Sequence, residues 1–177
     1  MQGWGPFYAS WGMVTVITWT GAMDINSIRA AALLGSIEEL KSENANAGSP
    51  LSGKMAGRYG ISGYSMGGGG TSEGCITDPT LKTGVGLAPW LPVTGMAVPT
   101  LFMCGDADFV AGVTVPVTAA GTPSKQVVFS GYTHFNWFGP TELTGYYALA
   151  WQKTYLEGDT RWEHLLSEQL PGVASMQ

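Results

Sequence analysis

The chain has 177 residues, of which 45% are hydrophobic and only 12% charged, a composition typical of a folded protein rather than a disordered one. This length suits a single domain with a sizeable core, which we assign to residues 1–177. The formal net charge of −5, without any basic cluster, argues against nucleic acid and against an anionic membrane surface as partners.

The first apolar stretch covers residues 4–23 and is interrupted by Gly5, Pro6 and Gly12. It is too broken to span a bilayer, and it lacks the basic start of a signal peptide. We predict a short helix that Gly12 ends, followed by a strand at residues 13–19, where β-branched residues are concentrated.

Helical and strand patterns alternate in the rest of the chain. Apolar residues at helical spacing predict helices over residues 25–44, with Asp24 as the cap, and 141–157. Short apolar or β-branched runs predict buried strands at residues 59–64, 85–88, 100–104 and 125–129. This alternation indicates an α/β fold with a mainly parallel sheet, in which ligands bind beyond the carboxyl ends of the strands.

The strand at 59–64 leads into Gly63-Tyr64-Ser65-Met66-Gly67. The pattern G-x-S-x-G is typical of a sharp strand-to-helix turn that exposes a nucleophilic serine. We expect glycine on both sides because a side chain in so tight a turn would collide with neighbouring backbone. A helix over 66–76 tolerates the following glycines only where backbones approach closely, and the alternative is a flexible glycine-rich linker.

A serine hydroxyl needs a base to become a good nucleophile, and the chain offers only His134 and His164. His134 follows a predicted strand end and is favoured, whereas His164 is interpreted as an ordinary surface histidine. Asp106 and Asp108 both follow the strand at 100–104. Either could fix the tautomer of the imidazole, and either could be a plain turn residue. The order Ser, Asp, His is that of α/β-hydrolases.

The two cysteines, Cys75 and Cys104, form neither a C-x-x-C pair nor a cluster with histidine. This spacing argues against a zinc site. We predict free buried thiols, and the alternative is one disulfide between them. We expect no other metal and no cofactor.

Several separate blocks of the sequence match one family in order. They are Trp4-Gly5-Pro6 with Ala9-Ser10, Gly63-Tyr64-Ser65-Met66-Gly67-Gly68-Gly69-Gly70, Asp78-Pro79-Thr80-Leu81-Lys82 with Ala88-Pro89-Trp90, Asp108-Phe109-Val110-Ala111, Gly131-Tyr132-Thr133-His134-Phe135, and Trp151-Gln152-Lys153 with Asp159-Thr160-Arg161. On these blocks the chain resembles, over nearly its whole length, the bacterial cutinases and poly(ethylene terephthalate) hydrolases, which are α/β-hydrolases.

The resemblance implies a three-layer α/β-hydrolase fold and a secreted enzyme that cleaves carboxylic esters, including aromatic or aliphatic polyesters. It implies an acyl intermediate on Ser65, with His134 as the base and Asp108, not Asp106, as the acid. It also assigns the backbone N–H of Met66 to the oxyanion hole. It carries no prediction of the oligomeric state.

The resemblance further implies an open groove for substrate, lined by Tyr64, Trp90, Phe135 and Trp137, and Phe138 next to Trp137 is expected either to extend the groove or to pack the loop. Tyr64 stands where the family usually has Trp or His, which changes the shape of the groove. Trp90 and Trp137 could alternatively serve only to pack the core and the loop.

Family members have further chain before the position of Trp4, and it carries their first strands and a loop with a second oxyanion N–H. We therefore expect a domain that is incomplete at its N-terminus, with reduced activity. We also expect the strand at 13–19 to shift inward and pair with the strand before Ser65. The alternatives are a silent remnant that only binds apolar esters, and a lidless lipase or acetylesterase.

Overall fold

The computed structural model describes residues 2–109 and 122–177. This part of the chain contains five strands and four α-helices. In chain order they are α1 (Trp4–Ser10), α2 (Asn26–Ala45), β1 (Gly60–Tyr64), α3 (Met66–Thr77), β2 (Thr83–Leu87), β3 (Thr100–Gly105), β4 (Ser124–Phe129), α4 (Glu142–Trp151) and β5 (Val173–Met176). A π-helical turn (Gln152–Leu156) extends α4, and a 3-10 helix (Thr160–Ser167) precedes β5. Val110 and Ala111 of the acid-loop motif lie outside the described residues.

The strands form one sheet in the order β1-β2-β3-β4-β5. The first four strands are parallel, and β5 is antiparallel to β4. The carboxyl ends of β1, β2, β3 and β4 therefore lie at the same edge of the sheet, and the loops that follow these strands meet there. The prediction of a mainly parallel α/β sheet is confirmed.

Helices cover both faces of the sheet, as β3 illustrates. Leu101 and Met103 belong to a core that includes residues of α1 and α4. Phe102 and Cys104 belong to a second core that includes residues of α2 and α3. Because successive side chains of a strand point to opposite faces, these two cores are the two sides of a three-layer structure.

The glycine-rich stretch after Ser65 is helix α3 rather than a flexible linker. A Cβ at Gly69 would lie 2.2 Å from the carbonyl oxygen of Trp90, and a Cβ at Gly70 would lie 2.9 Å from Cβ of Arg29. The cost of glycine in a helix is thus offset by close approach of the neighbouring backbone and of α2. This confirms the expectation that backbones approach closely here.

Residues 13–19 are not a strand, and the prediction that they pair with β1 is wrong. They have no regular secondary structure, and β1 pairs only with β2 among the described residues. A cavity of about 310 Å³ is lined by both segments. Side chains hold the segment instead, since Thr15 Oγ1 donates to the carbonyl of Gly5 and Thr18 Oγ1 shares a hydrogen bond with Ser36 Oγ. High β-propensity does not make a strand without a neighbour that satisfies its backbone.

The predicted cap of α2 is also wrong. The residue at the cap position is Ile25, which gives no side-chain hydrogen bond to the helix. The carboxylate of Asp24 instead accepts a hydrogen bond from the N–H of Gly21 and closes the preceding turn. Aspartate favours caps and turns for the same reason, its short acceptor side chain, so the sequence pattern does not separate the two.

Cys75 and Cys104 are free and buried, as predicted. Burial raises the pKa of the Cys75 thiol to about 12 and that of Cys104 to about 11. Both side chains therefore remain protonated and act as small apolar groups in the core.

None of the described helices combines the length and the apolar composition needed to cross a membrane.

The outer edge of β1 has no partner strand among the described residues. The N–H of Ser65 donates to the carbonyl of Leu87, and the carbonyl of Tyr59 accepts from Lys82. Because the main-chain groups of alternate residues point the same way, those of Ile61 and Gly63 also face β2. The N–H of Ser62 therefore points to the outer edge.

We predict that native-state hydrogen exchange alternates along β1. The amide of Ser62 should exchange at least about tenfold faster than those of Ile61 and Gly63, which are hydrogen-bonded to β2. Residue-resolved exchange measured by NMR tests this. Leu101 and Phe102 of β3 serve as controls, because β3 has a partner strand on each side and its neighbouring amides should be protected alike. Equal protection of Ser62 and its two neighbours would contradict the unpaired edge.

Candidate active site

Ser65 lies at the turn between β1 and α3, with φ 56° and ψ −121°. A positive φ is uncommon outside glycine and costs free energy, so the surrounding structure must hold it. The backbone of Ser65 is held on both sides. Its N–H donates to the carbonyl of Leu87 at 2.9 Å, and its carbonyl accepts from the N–H of Trp90 at 2.8 Å. These two bonds hold the Ser65 side chain at the carboxyl edge of the sheet.

The two glycines of the G-x-S-x-G pattern have different roles. A Cβ at Gly63 would lie 2.1 Å from the carbonyl oxygen of Gly67, closer than any real contact allows. A Cβ at Gly67 would meet no atom within 4 Å. The expectation of a steric need for glycine is confirmed at Gly63 and is wrong at Gly67.

Three predicted side chains come together at this edge. His134 Nε2 lies 2.9 Å from Ser65 Oγ. His134 Nδ1 lies 3.1 Å and 3.0 Å from the two carboxylate oxygens of Asp108. With Nδ1–H donated to the carboxylate, Nε2 is left as the acceptor for the serine O–H. This arrangement can remove a proton from the hydroxyl and hold it on an imidazolium that the carboxylate stabilises.

Asp106 and Asp108 lie in the same loop but bind different groups. The carboxylate of Asp106 accepts from the N–H of Gly131 at 2.6 Å and is exposed. The carboxylate of Asp108 is buried against His134. The geometry thus places Asp108 beside the imidazole and makes Asp106 a turn residue.

Met66 is the first residue of α3. The N–H groups of a first helical turn have no acceptor within the helix, and the helix dipole makes that end favourable for negative charge. The backbone N–H of Met66 is therefore suited to receive an oxygen that develops negative charge next to Ser65.

Several exposed aromatic residues lie next to Ser65, Tyr64 or His134, and an exposed apolar patch is typical of a binding site for an apolar molecule. Trp90 and Phe135, both predicted for the groove, are exposed by 43% and 63%. Phe109 and Phe138 are exposed as well. Phe109 was not predicted, although it directly follows Asp108, and its ring centroid lies 5.4 Å from that of His134.

Trp137 does not line the groove, which corrects the prediction. It is fully buried, and its indole N–H donates to the carbonyl of Thr133. Its own carbonyl accepts from the indole N–H of Trp4, so it ties the loop of His134 to α1. The alternative of plain loop packing holds for this residue. His164, predicted as a surface histidine, is exposed.

Tyr64 is half-buried beside His134. Its hydroxyl donates to the carbonyl of His134 at 2.7 Å, and its ring lies 5.1 Å from the imidazole. No pattern in the sequence indicates this hydrogen bond, because it joins residues that are 70 positions apart.

Comparison with known proteins gives a consistent set of relatives. A family model described as PET hydrolase-like matches residues 1–175. The bis(hydroxyethyl) terephthalate hydrolase of Streptomyces coelicolor is 30% identical over 173 residues, covering 92% of this chain and 54% of the relative. Cutinase 1 of Thermobifida cellulosilytica and a cutinase of Thermobifida fusca are 34% identical over 122 residues, 62% of this chain. These alignments cover 45% and 39% of the two cutinases, so the chain spans only about half, or less, of its relatives' length.

We predict opposite effects of alanine at the two glycines of the turn. Gly63→Ala should lower the free energy of unfolding by about 3 kcal/mol or more, because its Cβ would collide with backbone that cannot move away. Gly67→Ala should leave it unchanged or raise it by up to about 1 kcal/mol, because alanine favours a helix and the space is open. Urea unfolding followed by circular dichroism measures both. Equal stability of the two variants would contradict the close approach at Gly63.

Proposed function

The chain belongs to the PET hydrolase-like family and has its α/β-hydrolase fold, and we propose that it is a serine ester hydrolase acting through an acyl-Ser65 intermediate. The observation that carries this proposal is the hydrogen-bonded series from Ser65 Oγ through the His134 imidazole to the Asp108 carboxylate. The strained serine turn supports it, since it places the half-buried Ser65 at the edge of the sheet where the loops of Asp108 and His134 meet.

In the proposed reaction, His134 Nε2 takes the proton of Ser65 as Oγ attacks the ester carbonyl carbon. The C–O bond to Oγ forms, and the carbonyl oxygen becomes an oxyanion that the N–H of Met66 binds. When the intermediate collapses, the imidazolium gives its proton to the departing alcohol, and the acyl group remains on Ser65. Water then attacks the acyl carbon, with His134 again as the base. The C–O bond to Oγ breaks as the imidazolium returns a proton to Ser65, and the carboxylic acid is released.

We propose carboxylic esters with apolar or aromatic parts as the substrate class, including short polyester segments. The names of the relatives point to esters of terephthalic acid and to cutin. The exposed rings of Trp90 and Phe135 offer flat apolar surface beside Ser65. Tyr64 is half-buried, so only part of its side chain is open to a substrate. Secretion remains a prediction from the family.

Met66 supplies the single N–H that we assign to the oxyanion. One oxyanion donor is worth about 10²–10³ in kcat, so we expect slower turnover than a site with two donors would give. A silent chain that only binds apolar esters is the alternative, and acylation separates the two.

We predict that p-nitrophenyl butyrate produces a burst of p-nitrophenol equivalent to the amount of protein. Ser65→Ala should abolish the burst and lower hydrolysis by about 10⁴-fold or more, because it removes the nucleophile. Stopped-flow absorbance measures the burst, and labelling with a fluorophosphonate followed by peptide mapping identifies the modified residue. A folded protein that neither acylates nor is labelled at Ser65 would support the silent alternative.

We further predict that substitution of the two aspartates has very different effects on kcat. Asp108→Asn should lower kcat by about 10⁴, since the imidazole loses the carboxylate that fixes its tautomer. Asp106→Asn should change kcat by less than about threefold, because asparagine can still accept from the N–H of Gly131. Comparable losses in both variants would contradict the assignment of Asp108 as the acid. Thermal melts of both proteins control for folding.

A further inference from the structure

The loop that carries His134 has no regular secondary structure between β4 and α4. Hydrogen bonds anchor the two ends of this loop. The carbonyl of Tyr132 accepts from the N–H of Ala107. At the other end, the carbonyls of Trp137 and Phe138 accept from the indole of Trp4 and the N–H of Gly3. The main chain of His134 lies between these anchors, and its carbonyl accepts from the hydroxyl of Tyr64.

Tyr64 is itself held firmly. It is the last residue of β1, paired with Leu87 of β2, and it is joined covalently to Ser65, whose N–H donates to Leu87. Its ring packs between the imidazole of His134 at 5.1 Å and the ring of Phe138 at 5.7 Å. Tyr64 thus has few ways to move without moving the serine turn.

The hydroxyl of Tyr64 is a neutral donor at ordinary pH. Burial, and to a smaller extent the nearby Asp108 carboxylate, raise the pKa of Tyr64 above its usual value. The hydroxyl therefore stays protonated, and keeps donating its hydrogen bond to the carbonyl of His134, over the pH range in which the imidazole must act as a base.

We propose that Tyr64 is a positioning residue, whose hydroxyl holds the main chain of His134 and so keeps Nε2 at hydrogen-bonding distance from Ser65 Oγ. This inference rests on the proposed ester hydrolysis at Ser65. The strand that carries the nucleophile also fixes the base, through one covalent bond to Ser65 and one hydrogen bond to His134. A role as a wall of the substrate groove accounts for the ring but leaves the hydroxyl's bond without a function.

Loss of this hydroxyl should slow acylation without weakening substrate binding. Displacement of a reacting group by about 1 Å can lower a rate by about 10²-fold. The hydrogen bonds at residues 132 and 137–138 should keep the displacement of His134 below about 1 Å. We expect the acylation rate constant of Tyr64→Phe to fall about 10- to 50-fold, within the range that such displacements produce.

The experiment is stopped-flow acylation with p-nitrophenyl butyrate at varied substrate concentration, which gives the acylation rate constant and the substrate dissociation constant separately. Tyr147→Phe is the control, because Tyr147 also donates its hydroxyl to a backbone carbonyl, that of Glu168, away from the site. Tyr147→Phe should lower the melting temperature and leave acylation unchanged. The pH dependence of acylation is measured for all three proteins.

A reduced rate constant in Tyr64→Phe, with an unchanged dissociation constant and an unchanged acidic limb of the pH profile, supports the positioning role. A weakened dissociation constant with normal acylation would overturn it in favour of a groove wall. Acylation like that of the parent protein would also overturn it, and so would an equal loss in Tyr147→Phe. Ser65→Ala separates this inference from the proposed function, because persistent hydrolysis in that variant would refute the serine mechanism itself.

Discussion

The site depends on the close approach of β1 to the start of α3. Gly63 and Gly67 lie so close that no side chain fits at Gly63, and this contact forces the chain to turn within two residues. Ser65 takes its positive φ as a consequence, and the hydrogen bonds of its backbone to Leu87 and Trp90 keep it there. The position of the hydroxyl is thus a result of backbone packing, which explains why the turn tolerates strain at a residue other than glycine.

The acid and the base reach this turn because they follow neighbouring strands of one sheet. Asp108 comes after β3 and His134 after β4, and both side chains are buried in a chain with few charged residues. Burial of a carboxylate costs free energy unless it is hydrogen-bonded, and the imidazole supplies such a bond. Stability alone does not favour this pair over an apolar one, so its presence is better explained by the chemistry of the site.

Patterns that report local packing predicted the fold well, and features that depend on distant partners were missed. β3 is a mostly apolar run that is buried on both faces, and β4 ends in the apolar residues Val127, Val128 and Phe129, so their positions follow from the sequence. Residues 13–19 are also rich in β-branched residues but have no partner strand among the described residues. β5, with Val-Ala-Ser-Met, carries no clear alternation. Spacing left Asp106 and Asp108 equal, and only the family resemblance chose between them. The bond from Tyr64 to His134 needs three-dimensional contact, which no local pattern encodes.

The strand that carries the nucleophile is an edge strand, which has hydrogen bonds along one edge only among the described residues. Its stability must come from its faces. A Cβ at Gly74 of α3 would lie 2.6 Å from Cδ1 of Ile61, so helix and strand are in direct contact along this face. Helix α3 therefore holds β1 together with the pairing to β2, and the same helix provides the N–H of Met66. Changes that loosen α3 should move the nucleophile and the oxyanion donor together. The loop of His134 has its own anchor to α1, and Tyr64 would transmit a movement of β1 to His134.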